Sequence, residues 1–210
     1  VDNSPHITIH DEFRNPRPQP IAQLYPNAAI ELPRVKPLTE TRGIRGFEQI
    51  LDHIRTQPGL LASPVLAGQA LINYAGRDIA VTLNGMIADE IRTVSTIENY
   101  MLKGSIDDLI ANPDGIVVGS ELVRRLSLNM GDNITVSATT GQVRVFKILG
   151  IFRTGRADYD QTQAFASIKR VQGLLNRPHR ANSIIIKVEN PIAARVMAQR
   201  MEDEYGYKAV

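Results

Sequence analysis

Two histidines near the start of the sequence, with two acidic residues directly after them, are the first candidates for chemistry. His6, His10, Asp11 and Glu12 are residue types that bind metal ions, and the chain has no cysteine. The alternation in HITIH predicts a half-buried strand, on which residues four apart are separated by about 13 Å. One ion cannot bridge that distance without a sharp bend, so we favour the strand over a metal site.

A second candidate pair is Asp158 and Asp160 in the segment ADYD. Alternate residues of an extended segment face the same way, so the two carboxylates could share general acid–base work. The sequence shows no histidine or lysine partner for them. We therefore favour a solvated loop that orients the following strand.

The segment GIVVGSELVRRLSLNMGDNITV and the residues after it raise two further possibilities. Gly115, Gly119, Gly131 and Gly150 could cradle a phosphate, but their spacing matches neither GxxxxGK[ST] nor GxGxxG. Turns and helix ends explain these glycines. Ser120 lacks the second glycine of GxSxG and is predicted to be a helix N-cap. We therefore predict no catalytic, cofactor-binding or metal residues.

Composition narrows the function classes further. At 210 residues, a domain buries roughly 70% of the surface of its unfolded chain, so a stable core needs no covalent crosslinks. The absence of cysteine excludes disulfides, thiolate metal sites and a cysteine nucleophile. The 24 Lys+Arg nearly balance the 22 Asp+Glu, giving a net charge of +2. This field is too weak to indicate a nucleic acid partner.

The two ends of the sequence indicate a piece of a longer chain. The first residue is Val in place of Met, and the last residues, GYKAV, form a strand-like run without a polar tail. No run approaches 18 consecutive apolar residues and no signal peptide is evident, so we expect no membrane span here. If the whole protein is embedded in a membrane, its spans lie outside this sequence.

The first 45 residues contain little regular structure by pattern. Four prolines between Pro16 and Pro26 predict an extended surface excursion, followed by a strand at Ala28–Leu32. Two features of this region could contact a lipid or protein partner, although packing onto the core and a solvated surface are the simpler interpretations. They are the apolar residues Phe13, Ile21, Leu24 and Tyr25, and a basic set comprising RNPRPQP, Arg34, Lys36, Arg42 and Arg45.

The middle of the sequence predicts one amphipathic helix and then strands. Phe47, Ile50, Leu51 and Ile54 share a helical face, and PG ends the helix. Three strand-like runs follow, separated by Gly68 and by the turn AGRD. We predict short helices near residues 95–101 and 105–110, a helix after Ser120 and a strand at Ile134–Val136.

The last third predicts a hairpin followed by alternating helices and strands. A turn at Thr140–Gly141 leads into a long strand ending at Phe152, and then come a helix at Lys169–Leu175 and the strand SIIIKVE. The final helix has Asn190 as N-cap and ends at Gly206. Its predicted apolar face comprises Ala193, Val196, Met197, Met201 and Tyr205. The pattern favours an α+β protein in which one subdomain is inserted into another.

Several segments carry a family resemblance. GQALINYAGRDIAVTLNGM, GIVVGSELVRRLSLNMGDNITV, FKILGIFRTGRADYDQTQAFASIKRVQGLL and SIIIKVENPIAARVMAQRMEDEYGY resemble, in this order, the periplasmic core domain of MacB-like and LolC/LolE-like ABC transporter permeases, in the FtsX-like superfamily. The resemblance implies a porter-like α+β subdomain (residues 1–76 and 161–210) with an inserted, strand-rich, Sabre-like subdomain (residues 77–160).

The resemblance also implies a function without catalysis. The family's domain lies in the periplasm between two membrane spans, and it would transmit ATP-driven movement to a cargo or partner. The implied partners are an ABC ATP-binding subunit, a second permease copy or paralogue, and a periplasmic adaptor, chaperone or lipoprotein cargo. LolC-like members carry a long hook hairpin that binds a chaperone, whereas Ser137–Phe146 here leaves room only for a tight turn. This difference argues against a LolC-like docking role and leaves a LolE-like partner or another exporter without the hook open.

Two other function classes remain open. A periplasmic small-ligand-binding or sensor module would hold its ligand in a pocket with converging polar groups between the subdomains. A hydrolase is disfavoured because the sequence lacks a recognisable set of nucleophile, base and orienting residue.

Overall fold

We describe a computed structural model of the protein, in which residues 7–13 and 43–210 are described. His6, the proline-rich segment Asn15–Pro26 and the predicted strand at Ala28–Leu32 lie outside the described residues. The same holds for Arg34, Lys36 and Arg42 of the basic set. Arg45 of that set is described: it is exposed, and its backbone N–H donates to Oη of Tyr207 at 2.8 Å.

Within the described residues the chain alternates strands with short helices. The strands are β1 (Ile7–Phe13), β2 (Leu60–Tyr74), β3 (Arg77–Met86), β4 (Met101–Lys103), β5 (Gly115–Gly119), β6 (Asn133–Ala138), β7 (Val143–Phe152), β8 (Gln163–Ser167), β9 (Ser183–Val188) and β10 (Tyr207–Ala209). The helices are α1 (Phe47–Thr56), α2 (Ala88–Val94), α3 (Asp108–Ala111), α4 (Ser120–Leu126), α5 (Ala157–Thr162), α6 (Ile168–Leu174) and α7 (Ala194–Tyr205), with 3₁₀ turns at Ile97–Tyr100 and Pro191–Ala193. The predicted α+β class is confirmed.

One part of the structure is an antiparallel sheet in the order β10–β1–β9–β2. Its buried core contains Ile184 and Ile186 of β9 together with residues of α1 and α7. The predicted apolar face of α1 is confirmed, because Phe47, Leu51 and Ile54 are buried there. Apolar residues at this helical spacing form one stripe, which explains why the helix packs flat on the sheet.

The two ends of the described chain lie side by side in this sheet. The backbone N–H of Thr8 donates to the carbonyl of Val210 at 2.7 Å, and that of Val210 donates back to Thr8 at 3.1 Å. The strand-like run GYKAV is thus confirmed as β10, which pairs with β1.

The second half of β2 belongs to a closed ring of six strands. Around the ring, β2 pairs with β3, β3 with β8, β8 with β5, β5 with β7, β7 with β6, and β6 again with β2. Its core includes Ile72, Val118 and Phe146, and α4 and α6 add Leu122 and Val171. Closure pairs both edges of each strand, so the ring leaves no open sheet edge over this stretch.

Strand β2 is continuous over 15 residues. We predicted a break at Gly68, but this residue pairs with Leu83 in the middle of the strand. A Cβ at Gly68 would lie 2.5 Å from Cδ1 of Leu175, so the glycine makes room for the end of α6. The predicted turn after β2 is confirmed. Ala75 and Gly76 have φ values of 49° and 76°, as a type I′ hairpin turn requires.

An outer layer packs against the ring through Val117 and Phe152. We predicted helices near residues 95–101 and 105–110, and the structure has a 3₁₀ turn and α3 in those places. It adds α2 directly before them, which the sequence analysis missed. Its buried residues Ala88, Ile91 and Val94 are three apart, but the helix is only seven residues long, so the periodic signal covers less than the roughly 11–18 residues over which such a pattern is recognised.

The start of the last helix is confirmed, but its apolar face is partly wrong. Oδ1 of Asn190 accepts a hydrogen bond from the backbone of Ile192 at 3.1 Å, and Gly206 ends α7 with a φ of 75°. Val196 of the predicted face is exposed, while Ala198 is buried. A 3₁₀ turn has about 3.0 residues per turn in place of about 3.6. Because the helix begins with such a turn, the residues after it face a different direction from that expected for a helix that is α from its first residue.

The division into residues 1–76 with 161–210 and an inserted segment 77–160 stays a prediction. The core inside the ring includes residues from 66–72 and 164–175 as well as from 81–151.

Candidate functional site

The fold separates the two aspartates of the segment ADYD. The predicted extended loop is helix α5, and residues two apart on a helix do not face each other. Asp158 is exposed and lies 3.3 Å from Arg156, whereas Asp160 is 2% exposed. A hydrogen bond from the backbone of Tyr159, and next that from Arg156, hold the pKa of Asp158 below its ordinary value. The pair does not form a shared acid–base site.

Asp160 instead holds the turn before α5. Its Oδ1 accepts hydrogen bonds from the backbone N–H and the hydroxyl of Thr154, at 2.9 and 2.7 Å. Its Oδ2 accepts one from the backbone of Gly155 at 3.3 Å. Three donors around a buried carboxylate offset much of the cost of removing it from water. The predicted solvated loop is therefore wrong for Asp160, whose contacts are structural.

The N-cap prediction for Ser120 is also wrong. Ser120 is the first residue of α4, Gly119 occupies the cap position, and α4 has no side-chain cap hydrogen bond. A Cβ at Gly119 would lie 1.9 Å from the carbonyl oxygen of Asp160. A serine cap does not fit there, because α4 and α5 approach each other too closely.

The other glycines divide between turns and strands. Gly131 has a φ of 87°, which confirms its predicted turn role. Gly115 and Gly150 lie within strands, where a Cβ would be 2.2 Å from Cδ1 of Leu149 and 2.6 Å from Cε of Met101. Turns and helix ends are the wrong explanation for these two. Close packing is the reason for glycine there.

The histidine pair is described only in part, because His6 lies outside the described residues. His10 lies on β1 and is half-buried. In the described ranges 7–13 and 43–210, no group of three or more His, Asp or Glu residues is placed to hold a metal ion.

An open groove of 510 Å³ lies on the sheet between α2, the following 3₁₀ turn and α5. We call it the sheet groove. Val65, Phe165 and Ile185 line its sheet side, and Ile97 and Tyr159 belong to the flanking elements. Phe165 makes an edge-to-face contact with Phe152 beneath, with ring centroids 5.3 Å apart. The sheet side of the lining is therefore mainly apolar.

Polar groups line the rest of the sheet groove, among them those of Ser95, Thr96 and Thr154. The amide nitrogen of Asn84 donates to Oε1 of Gln163 at 2.9 Å, so it is already occupied, while Arg156 is exposed beside the cavity. Burial raises the pKa of the Tyr159 hydroxyl, and the charge of Arg156 partly opposes that rise. The site suits a small apolar ligand with an anionic end.

The sequence analysis did not single out the lining of the sheet groove. Its residues come from several strands and from helices far apart in sequence. One local signal exists: Phe165 stands between Ala164 and Ala166, so a single large side chain marks the groove side of β8.

A second, larger cleft of 700 Å³ separates α1 from α6. Its lining includes Glu48, Asp52, Arg55, Lys169 and His179, all exposed to solvent. Charges of both signs are present, and Nδ1 of His179 lies 3.7 Å from Oε1 of Glu48. Apolar residues line this cleft together with the charged groups, among them Phe47, Leu51 and Ile168.

The hairpin between β6 and β7 is short. The backbone N–H of Ala138 donates to Gln142 at 2.9 Å, and that of Gly141 donates to Ala138 at 3.0 Å. This confirms the predicted tight turn. On the outer face of the ring, Leu71 of β2 and Val143 of β7 are both exposed and are aligned across β6.

Comparison with known proteins adds a family to this geometry. The profile described as the MacB-like periplasmic core domain matches residues 9–204. The lipoprotein-releasing system transmembrane protein LolC of Neisseria meningitidis serogroup B is 25% identical over 174 residues, which are 78% of this chain and 42% of that protein. The LolC of Xylella fastidiosa is 24% identical over 123 residues, 54% of this chain and 30% of that protein. The chain thus spans less than half the length of these relatives.

Solved structures agree on the fold. The periplasmic region of MacB from Actinobacillus actinomycetemcomitans has a TM-score of 0.59 at 13% identity, covering 97% of this chain and 87% of that one. The extracellular domain of the ABC-type transporter YknZ from Gram-positive bacteria has a TM-score of 0.57 at 11% identity, covering 78% of this chain and 88% of that one. Within the described residues, no helix has the length and apolar character needed to cross a bilayer.

The profile match extends over most of the sequence, and the α+β fold agrees with it. The resemblance carried by the segments around GIVVGSELVRRLSLNMGDNITV is therefore confirmed. The chain belongs to the MacB-like periplasmic core domain family.

Proposed function

We propose that this chain is the periplasmic part of an inner-membrane ABC transporter permease of the MacB or LolC–LolE type. It transmits ATP-driven movement of membrane helices to a periplasmic cargo or partner, and it is not itself an enzyme. ATP is hydrolysed on a separate ATP-binding subunit. Membership of the MacB-like family and the similarity to LolC support this proposal.

The observation that carries the proposal is a continuous path from the chain ends to the ring. Thr8 and Val210 are hydrogen-bonded to each other, as expected of a domain inserted between neighbouring membrane helices. β2 pairs with β9 over Leu60–Val65 and with β3 over Val65–Tyr74. A strand paired along its whole length does not change length without breaking hydrogen bonds, so a displacement at the ends reaches the ring as a rigid-body movement.

The partners follow from the same proposal. The permease works with an ABC ATP-binding subunit and with a second copy or paralogue of itself. A periplasmic adaptor, a chaperone or a lipoprotein is the partner of the distal ring, and the cargo is a lipoprotein or lipid, or a drug or peptide. The porter-like subdomain (residues 1–76 and 161–210) contains the ends, and the inserted subdomain (residues 77–160) contains most of the ring.

A distance measurement in the assembled transporter tests the mechanism. The chain has no cysteine, so Val143→Cys places one donor dye on the exposed ring once any cysteines elsewhere in the permease and in its ATP-binding subunit have been replaced by serine. The full-length permease is assembled with its ATP-binding subunit in nanodiscs that carry acceptor-labelled lipid. We expect the energy-transfer efficiency to differ between nucleotide-free and ATP-trapped states.

A matched variant makes this test specific. Two glycines inserted in β2 between Leu66 and Ala67 interrupt the strand between its segment paired with β9 and its segment in the ring. They should reduce the nucleotide-dependent change without abolishing ATP hydrolysis. Equal efficiencies in all nucleotide states, with an active ATPase, would contradict the lever mechanism.

The sheet groove favours a second candidate function, a periplasmic small-ligand-binding or sensor module. Its cavity of 510 Å³ and its aromatic lining are of the size and kind that hold small apolar ligands. A thermal-shift screen of apolar carboxylates tests it. Binding that disappears in Phe165→Ala but persists in Val143→Ala would support this alternative, and the absence of any shift would remove it.

A further inference from the structure

The turn between β9 and α7 lies at the same end of the sheet as Ile7, the first described residue, and Val210. Ile186 of β9 pairs with Ile7 of β1, so Val188 extends two residues past the start of the described β1. The backbone N–H of Glu189 donates to the carbonyl of Gly59 at 2.9 Å. The turn before β2 and the turn after β9 are therefore hydrogen-bonded to each other at this end of the sheet.

Ile192 in that turn is the most exposed large apolar side chain in the described part of the chain, at 90%. Hydrogen bonds and a proline restrain the backbone of this turn. Pro191 restricts the backbone, Oδ1 of Asn190 accepts the N–H of Ile192, and the N–H of Ala193 donates to the carbonyl of Asn190 at 3.0 Å. The fold thus presents Ile192 outward in a fixed position.

The neighbours of Ile192 on the same face are an apolar and a basic residue. Val196, 67% exposed, and Arg195, also exposed, follow at the spacing of one helical turn. Burial of apolar side chains and attraction of cations to anionic headgroups are the two contributions by which a helix binds a membrane interface, and this face offers one or more groups for each. We call Ile192, Arg195 and Val196 the Ile192 face.

We propose that the Ile192 face binds the bilayer surface, with Ile192 and Val196 in the boundary between headgroups and acyl chains and Arg195 against anionic headgroups. The inference rests on the proposed function, because it takes the end with Thr8 and Val210 as the end nearest the membrane. A bilayer fits better than a protein partner, since the face is a convex turn with two apolar side chains rather than a groove. The contact would fix the height and tilt of the domain above the membrane.

A tryptophan reporter tests this contact directly. The chain contains no tryptophan, so Ile192→Trp and the distal control Val143→Trp each carry a single one. Each chain is tethered by a histidine tag after Val210 to vesicles of phosphatidylethanolamine, phosphatidylglycerol and a nickel-chelating lipid. We expect Trp at 192 to shift its emission to the blue and to be quenched by brominated acyl chains, and Trp at 143 to do neither.

Partitioning of the untethered chain supplies a second readout. Ile192→Ser should weaken its partition onto phosphatidylglycerol-containing vesicles about tenfold, the loss expected for one apolar side chain of this size. Val143→Ser should leave the partition unchanged. Arg195→Gln should weaken binding to anionic vesicles and have no effect on purely zwitterionic ones.

Two results would overturn the inference. Trp at 192 that keeps a solvent-exposed emission on tethered vesicles excludes insertion. A shift that depends on protein concentration without lipid would assign the face to a second copy of the chain. Either result leaves the proposed transport function testable, because the energy-transfer change from position 143 does not require membrane contact at Ile192.

Discussion

Replacing Asp160 should destabilise the protein far more than replacing Asp158, although the two lie on the same short helix. Asp160 is 2% exposed and accepts three hydrogen bonds from Thr154 and Gly155, whereas Asp158 is exposed. The comparison of the two positions separates a buried carboxylate with a structural role from a solvated one.

The expected magnitudes follow from the hydrogen bonds. A hydrogen bond to a charged group contributes about 1.5–3 kcal/mol. Thr154 is half-buried and Gly155 is exposed, so their donors regain water in part when the carboxylate is removed. We therefore expect Asp160→Ala to lower the free energy of unfolding by about 2–4 kcal/mol, and Asp158→Asn to change it by less than about 0.5 kcal/mol.

Asp160→Asn should fall between these values. Thr154 donates both of its hydrogen bonds to Oδ1, which an amide oxygen retains in the same place. The amide nitrogen then faces the N–H of Gly155, so one hydrogen bond is lost. The cost should be about 1–1.5 kcal/mol.

Urea unfolding followed by far-ultraviolet circular dichroism measures these differences, because the chain has no tryptophan. For a protein of this size, 1 kcal/mol corresponds to about 2–4 °C in Tm, so Asp160→Ala should lower Tm by about 5–15 °C. An Asp160→Ala variant as stable as the parent, or Asn and Ala variants of equal stability, would show that the carboxylate does not hold the turn.

Three further predictions concern other contacts. Gly119→Ala forces a Cβ to 1.9 Å from the carbonyl oxygen of Asp160 and should lower the free energy of unfolding by about 3 kcal/mol or more. Gly141 has a φ of 85° and open space around it, so Gly141→Ala should lower it by only about 1–2 kcal/mol, both measured by urea unfolding. Equal costs would contradict the close approach of α4 and α5. Asn190→Ala removes the cap of the last helix and should cost about 1 kcal/mol in the same assay, with Gln199→Ala as an exposed control. Because burial raises the folded-state pKa of Tyr159 above its unfolded value near 10, its stabilising contribution is complete below pH 10 and is lost as pH rises through the folded pKa. The pKa values of Tyr74 and Tyr205 are raised as well, by the hydrogen bond to Asp132 and by burial respectively. Absorbance titration should therefore show a late-titrating group of tyrosines that loses one member in Tyr159→Phe, and an unchanged curve would contradict this.

Local patterns predicted those elements whose determinants lie close together in sequence. The helix with Phe47, Leu51 and Ile54 on one face needed only a period of 3.6 residues, and the turn at Ala75–Gly76 needed only a glycine between two alternating strands. Asn190 followed by Pro191 marked the start of the last helix in the same way. In each case the interacting groups are within a few residues of one another.

Errors arose where a distant residue decided the conformation. Gly68 seemed to mark a strand end, yet it is glycine because Leu175 packs against it. Gly119 displaced Ser120 from the cap position because the carbonyl of Asp160 occupies the space that a side chain would fill. Local propensity cannot register a contact between residues this far apart.

From the sequence by itself come the α+β class, most helix and strand positions, and the membership of the MacB-like periplasmic core domain family. These rest on local periodicity, on turn residues and on the order of short segments, all of which are linear properties of the chain. The tertiary structure alone decided that β2 and β6 close a ring, that Asp160 is buried, and that Ile192 is presented outward beside the chain ends. Those outcomes depend on pairing and packing between residues far apart in sequence. Such contacts stabilise the chain only after folding has brought the residues together, so no local pattern records them.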